Sequence, residues 1–306
     1  MKERQQYDIV IIGGGIAGMT AAVYAARANR SCILLESNIT GGLANSTYLV
    51  ENFPSYTEIH GMELMQRLRD QVEHLEVPVE EVCEVEKLDL FSTIKSVETD
   101  DAIYEAKAVI LATGRKNIPL ELPRDCDQVH HCAICDGSPY KDKKIIVVGG
   151  GNSAFDESLY LLQLGVGHLT IVEKMDRYFA AQTVQEDLLG RDNVEGYLSS
   201  EVKDVILEDD KLKTVILHNT ATGEDTHINA DGIFVFLGQL PNSELFADAI
   251  KLDKVGYIIA DADMRTNLPG VFSAGDINAK TYRQLTTAAA DGTIAALSAD
   301  RYLRTV

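Results

Sequence analysis

The chain has 306 residues, 45% of them hydrophobic and 25% charged, with a formal net charge of −19 at pH 7. This is ordinary globular composition, long enough for about two domains. It excludes a nucleic-acid binder, because no block of Lys and Arg is present, and a membrane-spanning chain, because no window approaches about 20 apolar residues.

In chain order, Tyr7–Ile12 is an apolar run that enters Gly13-Gly14-Gly15-Ile16-Ala17-Gly18 and reads as a buried parallel strand ending in a tight turn. Ala17–Ala28 follows as an alanine-rich helix, then Ser31–Leu35 as a second strand closed by Glu36. A strand, a G-x-G-x-x-G turn, a helix and a terminal carboxylate together form a dinucleotide-binding βαβ unit. Gly13 permits the turn, Gly15 lets backbone N–H groups approach a pyrophosphate, and Gly18 lets helix and strand pack closely. The helix start favours the negative charge, and Glu36 can accept hydrogen bonds from a ribose.

Residues 41–56 read as a polar loop with a glycine pair. Gly61–Leu75 has helical spacing at Met62, Met65, Leu68 and Val72, with the methionines expected in the core. The alternation from Val82 to Thr113, broken at Asp100-Asp101, predicts a small β-meander followed by the buried strand Ala108–Ala112.

The plan then repeats. Lys144–Val148 leads into Gly149-Gly150-Gly151-Asn152-Ser153-Ala154, the helix Ser153–Leu164 ends at Gly165, and the strand Leu169–Val172 is closed by Glu173. Val202–Ile228 reads as a second meander and Ile233–Leu237 as a buried strand. From 266, a short strand near Phe272, Gly275-Asp276 and an alanine-rich helix complete an existing domain, the first. The expected class is α/β, with two Rossmann-like three-layer dinucleotide-binding domains, each carrying a small β-meander.

Between the two glycine loops lies His130–Gly137, HHCAICDG, with Cys132 and Cys135 at C-x-x-C spacing and Asp136 directly after. The start, MKERQQYDIVIIGGG, has no signal-peptide apolar region, and an odd total of five cysteines does not make a secreted framework. The expected location is therefore cytoplasmic, and there a close cysteine pair is catalytic or metal-binding. A thiol at a helix start is activated by the helix dipole, a second thiol resolves a mixed disulfide, and a nearby carboxylic acid protonates a leaving thiolate. Zinc would need four ligands, and no second C-x-x-C or C-x-H supplies them; no metal is expected. His130 and His131 read as loop residues, and Cys32, Cys83 and Cys126 as structural. A dithiol between two dinucleotide units points to electrons passing from nucleotide to flavin to disulfide.

With these landmarks the chain resembles the low-molecular-weight thioredoxin reductases over essentially its whole length. The resemblance rests on VIIGGGIAGMTAAVYAARA near the start, VENFP at 50–54, LATG at 111–114 and CAICDG at 132–137. It continues in VVGGGNSA at 147–154, FSAGD at 272–276 and YRQLTTAAADG at 282–292. It implies a homodimeric FAD enzyme that reduces thioredoxin or a thioredoxin-like small disulfide protein. It implies a discontinuous FAD domain, 1–114 and 242–306, with a nicotinamide-nucleotide-type domain at 115–241 inserted in it. In the family that domain rotates about the two linkers, presenting alternately dithiol and nicotinamide to the flavin. Carried over, the FAD site comprises Gly13, Gly15, Ile16, Ala17, Gly18, Glu36, Gly41, Gly42, Leu43, Asn52, Ala112, Thr113, Gly114, Gly275, Asp276, Arg283, Gln284 and Leu285. Cys135 faces the flavin, Cys132 attacks the partner disulfide and Asp136 donates the proton. The nicotinamide-nucleotide site comprises Gly149, Gly151, Asn152, Ser153, Ala154, Glu173 and Lys174.

The departures concentrate on the electron donor. NADPH-using members of the family carry a histidine and two arginines after the second strand of the nucleotide domain, then another arginine, and these hold the 2′-phosphate. Here the strand runs into Glu173-Lys174-Met175-Asp176-Arg177-Tyr178-Phe179. A carboxylate at Glu173 accepts from a ribose 2′-hydroxyl and repels a 2′-phosphate, so the expected donor is NADH. Weak NADPH use, a second FAD, or a vestigial site with electrons from ferredoxin remain open, as does a non-catalytic FAD-binding redox sensor. Leu43 stands where the family usually has glutamine, and Ser55 where it has glycine.

Overall fold

The computed structural model describes residues 2–47 and 49–306; Met1 and Tyr48, which fall within the expected first domain and the 41–56 loop, lie outside the described residues. The chain divides into two compact units, Met1–Lys116 with Leu240–Val306, and Asn117–Gln239.

The first unit opens with β1 (Glu3–Ile12), α1 (Ile16–Arg27), β2 (Cys32–Leu35), α2 (Gly61–His74), β3 (Val79–Glu80), β4 (Val85–Asp89), β5 (Lys95–Thr99) and β6 (Ala102–Leu111). Its sheet runs β3-β2-β1-β6-β5-β4. β1 pairs parallel with β2 through Ile9↔Cys32 to Ile12↔Leu35, and with β6 from Glu3↔Ala102 to Ile12↔Leu111. The meander expected for residues 82–113 is formed by the consecutive antiparallel strands β4, β5 and β6, as part of the main sheet and not as a sheet of its own. β6 is one strand that pairs antiparallel with β5 and parallel with β1, so the hairpin extends the main sheet. Its burial explains the two sequence signatures. Ala102, Tyr104 and Ala106 alternate with more exposed residues, whereas Ala108–Leu111 is buried continuously, because the strand passes from a one-sided to a two-sided environment. Met65 is buried, but Met62 is 54% exposed, so the core reading holds for only one of the two methionines.

Two short connecting strands pair with each other. β7 (Arg115–Asn117) leaves the first unit, and the returning strand Gln239–Pro241 pairs with it. The boundary between units falls inside these strands rather than at the expected 114/115 and 241/242.

The second unit contains β8 (Val129–His130), α3 (Ala133–Asp136), β9 (Lys144–Val148), α4 (Asn152–Gln163), β10 (His168–Val172), α5 (Gln182–Leu189), β11 (Val194–Tyr197), β12 (Ser200–Glu208), β13 (Lys211–Asn219), β14 (Asp225–Asn229) and β15 (Gly232–Val235). Its parallel sheet runs β11-β10-β9-β15-β8, and β12-β13-β14 form a separate antiparallel sheet. One face of the parallel sheet packs Ile145 and Val147 with Phe155, Leu161 and Leu188 from α4 and α5. The other packs Ile146 and Val148 against Val205, Val215 and Leu217 of the meander, which gives the three expected layers. α5 and β11 lack the apolar periodicity to be read from sequence; their buried contacts are few, led by Leu188. Gly165, at φ +91°, closes α4 with Val166 N–H donating to Leu161 O and Gly165 N–H to Leu162 O, the paired bonds of a Schellman motif.

After β16 (Gln239–Pro241), the chain returns to the first unit with β17 (Val271–Ser273) and α6 (Leu285–Leu303). β17 pairs parallel with β6, and Ala295 and Ala299 of α6 join Ala17 and Ala21 of α1 in the core on one sheet face. Asp300 ties this helix down. It accepts from Arg30 Nε at 2.7 Å and from Arg304 Nη2 at 2.7 Å. Burial pushes its carboxyl up, but the bonds from Arg304 and Arg30 outweigh that and hold it below the usual range. The folded form therefore binds the proton less readily than the unfolded form. The stabilisation is complete above about pH 4 and fades as the carboxyl protonates. Asp300→Asn is expected to lower the thermal midpoint at pH 7 by about 3 °C. In a pH series of thermal scans the difference from the parent should shrink under acid conditions.

Candidate functional site

In the first unit, β1 delivers the chain to Gly13 at φ +108°, where a Cβ would overlap Ala112 O. A Cβ on Gly18 would overlap Gly13 O, so α1 can sit against the turn only with glycine there. Gly15 has open space where its Cβ would stand, and so has Gly114 at φ +62°. Ile16 and Ala17 are buried in the first turn of α1. Glu36 closes β2 and turns back on the loop: Gly14 N–H donates to its Oε2 at 2.6 Å and Asn38 N–H to its Oε1 at 2.9 Å. Gly41 bridges Gly15, with Gly41 N–H donating to Gly14 O at 2.9 Å. Gly42 and Leu43 begin a 3-10 turn, Gly42–Ser46.

The returning segment brings further groups to the same unit. Gly275, at φ +85°, packs against Ala17 Cβ. Asp276 accepts from Arg115 Nη2 at 3.1 Å, while its Oδ1 is buried without a hydrogen-bond partner. Lys280 Nζ lies 3.7 Å from that oxygen and 2.7 Å from Asp291 Oδ2, which also accepts from Gly275 N–H. Arg115 Nε and Arg283 Nε are likewise buried without partners. Arg283 stacks 4.1 Å from the Tyr257 ring centroid. Asn52 Nδ2 reaches Gln284 Oε1 at 3.3 Å, and Gln284 caps α6, which begins at Leu285. Thr113 Oγ1 donates to Asn242 O. An open glycine cradle, orphaned cation N–H groups and an open carboxylate acceptor match the anionic and hydroxyl-bearing parts of a dinucleotide. Arg115 and Lys280 carry no motif spacing that would mark them in the sequence, and Asp291, although inside the run 282–292, is not singled out there.

In the second unit the same geometry recurs. Gly149 stands at φ +133° against Phe236 O, Gly151 has open space at its Cβ position, and Ala154 is buried. Glu173 repeats the placement of Glu36. A Cβ on Gly150 would overlap its Oε2, and Met175 N–H donates to its Oε1 at 2.8 Å, as Asn38 does to Glu36. Asn152 Oδ1 accepts from Ala181 N–H, and Ser153 is exposed. Lys174 is turned to Glu201, its Nζ 2.6 Å from Oε2. Arg177 lies over the Phe179 ring, 5.3 Å from its centroid. The two basic side chains nearest the strand end are thus both engaged.

Cys132 and Cys135 are joined as a disulfide, with Cα atoms 5.4 Å apart. Cys132 caps α3, and Cys135 N–H donates to its Sγ at 3.1 Å. α3 has only four residues, so the field on the sulfurs is that of a single turn and this backbone N–H, not of a long helix dipole. Cys135 is exposed, and Asp136 is partly so. His130 is not a loop residue: it ends β8 in register with Phe234. Its Nδ1 lies 3.5 Å from Asp136 Oδ2 and its Nε2 lies 2.7 Å from Tyr140 Oη. No local pattern announces these contacts, which the pairing of β8 with β15 creates. The three other cysteines are free; Cys32, which burial pushes up to about 12, is no thiolate at neutral pH.

The profile of the pyridine nucleotide-disulphide oxidoreductase family matches residues 7–292. The chain is 40% identical over 307 residues to the "34.2 kDa protein in rubredoxin operon" of Clostridium pasteurianum, covering 99% of each. It is 36% identical to the thioredoxin reductase of Bacillus subtilis, covering 99% of this chain and 96% of the relative. The crystal structure of Lactococcus lactis thioredoxin reductase aligns over 98% of this chain and 100% of that one, with a TM-score of 0.88 at 36% identity.

Proposed function

The chain belongs to the low-molecular-weight thioredoxin reductases, within the pyridine nucleotide-disulphide oxidoreductases, and on that premise we propose that it passes electrons from NADH through FAD to a thioredoxin-type disulfide. FAD, when bound, supplies the two-electron relay between the nicotinamide and the Cys132–Cys135 pair. The first unit binds it. Gly13, Gly15 and Gly18 admit the pyrophosphate, Glu36 accepts from the adenosine ribose, and Asp276 offers its open oxygen to a hydroxyl. The thiols act in turn. Cys132 attacks the partner disulfide, Cys135 resolves the mixed disulfide, and Asp136 carries the proton to the leaving sulfur. The partner is thioredoxin or a small protein like it, and the working form is a homodimer, as in the family.

The observation that carries the choice of donor is the match between Glu173 and Glu36. A carboxylate held at that point accepts from a ribose 2′-hydroxyl and repels a 2′-phosphate, and Lys174, tied to Glu201, does not offset it. The test is anaerobic. NADH and NADPH are added to separate cuvettes of the yellow protein, and the visible flavin absorbance is followed. NADH should bleach it at least about tenfold faster, a difference of about 1.4 kcal/mol. Glu173→Ala should narrow that ratio.

A second reading is supported by the Clostridium pasteurianum relative, which is named for a rubredoxin operon. In it, a one-electron protein carrier such as ferredoxin replaces the nicotinamide. Bleaching by dithionite but by neither nicotinamide would favour this reading, and the flavin content per chain would then test for a second FAD.

A further inference from the structure

His130 sits in an aromatic cluster of the second unit. Its ring centroid is 5.1 Å from Phe234 and 5.4 Å from Tyr140, and those two rings meet edge-on at 81°. Its side chain is 18% exposed, against 39% for Asp136, so the imidazole is the fixed member of the pair and the carboxylate the mobile one. We propose that His130 is a positioning residue for Asp136: its Nδ1–H holds the carboxylate beside the Cys132–Cys135 pair, and the Tyr140 hydroxyl fixes the ring's tautomer from the other side. The inference rests on the disulfide-reductase reading and adds a residue to its thiol site.

The hydrogen-bond direction follows from the surroundings. Burial, then Asp136, Cys126 and Asp231, push the Tyr140 hydroxyl up to about 12, so it keeps its proton and donates to Nε2. Burial holds His130 below its ordinary value, with His131 acting in the same sense and Asp136 opposing, so the ring is neutral at pH 7. A neutral ring that accepts at Nε2 carries its hydrogen on Nδ1, which faces Asp136. The remaining neighbour, Phe234 of β15, is apolar.

In the exchange, the Asp136 carboxylate takes the proton of the Cys135 thiol. The Cys135 thiolate attacks Cys132 Sγ, the bond from Cys132 to the partner's sulfur breaks, and that sulfur leaves with the electron pair. It receives the proton from Asp136. The dithiol is oxidised, the partner disulfide is reduced, and His130 ends in its starting state. A carboxylate that shares its charge with Nδ1–H presents less negative field to the thiol, so His130 keeps Cys135 more acidic.

The test uses the purified flavoprotein, chemically reduced under anaerobic conditions and freed of reductant. Pulses of iodoacetamide from about pH 5 to about pH 10 label the thiols, and peptide mass spectrometry separates Cys135 from the other cysteines. His130→Ala should raise the Cys135 midpoint by about one pH unit, while His130→Asn, which keeps an N–H donor near the Nδ1 position, should stay within about 0.3. Tyr140→Phe keeps the ring packing and should raise it by about half a unit. Superimposed curves for the parent and His130→Ala overturn the proposal, as do equal shifts in the Ala and Asn variants. If His130→Ala does not accumulate, an unmoved midpoint in Tyr140→Phe overturns it. Reduced parent protein that cannot close Cys132–Cys135 on addition of an oxidised small-molecule dithiol overturns the disulfide-reductase reading as well.

Discussion

Cys135→Ser is expected to lower turnover of a thioredoxin-type disulfide by at least about a thousandfold, because a hydroxyl neither resolves a mixed disulfide nor reforms the Cys132–Cys135 bond. The variant should keep its yellow colour and its thermal midpoint. Cys135 is exposed and packs no core, and the glycine loop that would hold FAD lies in the other unit. With the variant, Cys132 should still attack and remain trapped. A covalent complex with the partner on a non-reducing gel, dissolved by added thiol, would record the step before resolution. Unchanged turnover would remove the dithiol from the reaction, whereas a parent protein with no turnover to lose would leave the redox-sensor reading in its place.

The second large effect separates two neighbouring glycines. Gly18→Ala should destabilise the protein by about 3 kcal/mol or more, because the new methyl must displace the Gly13 carbonyl and push α1 off the sheet. α1 has no slack on its other side, since Gly292 of α6 is packed against Ala17 O closely enough that its own Cβ would overlap it. Gly15→Ala should behave differently. Gly15 has φ −72°, which alanine adopts freely, and nothing stands within 4 Å of its Cβ position. The fold should survive, with urea midpoints close to the parent, while the methyl occupies the space left for the pyrophosphate. The ratio of flavin absorbance to protein absorbance should therefore fall in both variants, but the unfolding midpoint only in Gly18→Ala. Full flavin content in Gly15→Ala would place the cofactor elsewhere.

Whatever is local can be read along the chain. Both glycine loops were legible because a strand, a turn with positive φ and a helix start follow one another within one stretch, and each needs its own residue types. Cys132, Cys135 and Asp136 were legible for the same reason, as were Glu36 and Glu173 at the ends of their strands. The tertiary structure alone decided whatever depends on register between distant segments. It made β6 a single strand serving both a hairpin and the parallel sheet, where alternation and continuous burial had looked like two elements. It turned Lys174 onto Glu201, and it set Arg115, Lys280 and Asp291 around Asp276. Above all it paired His130 with Phe234 across β8 and β15, which carries the imidazole to Asp136 and Tyr140. Hydrophobic period and motif spacing report which way a side chain faces along its own segment. They carry no information about which segment will lie opposite, because that is set by the summed packing of the whole sheet and not by any one stretch of chain.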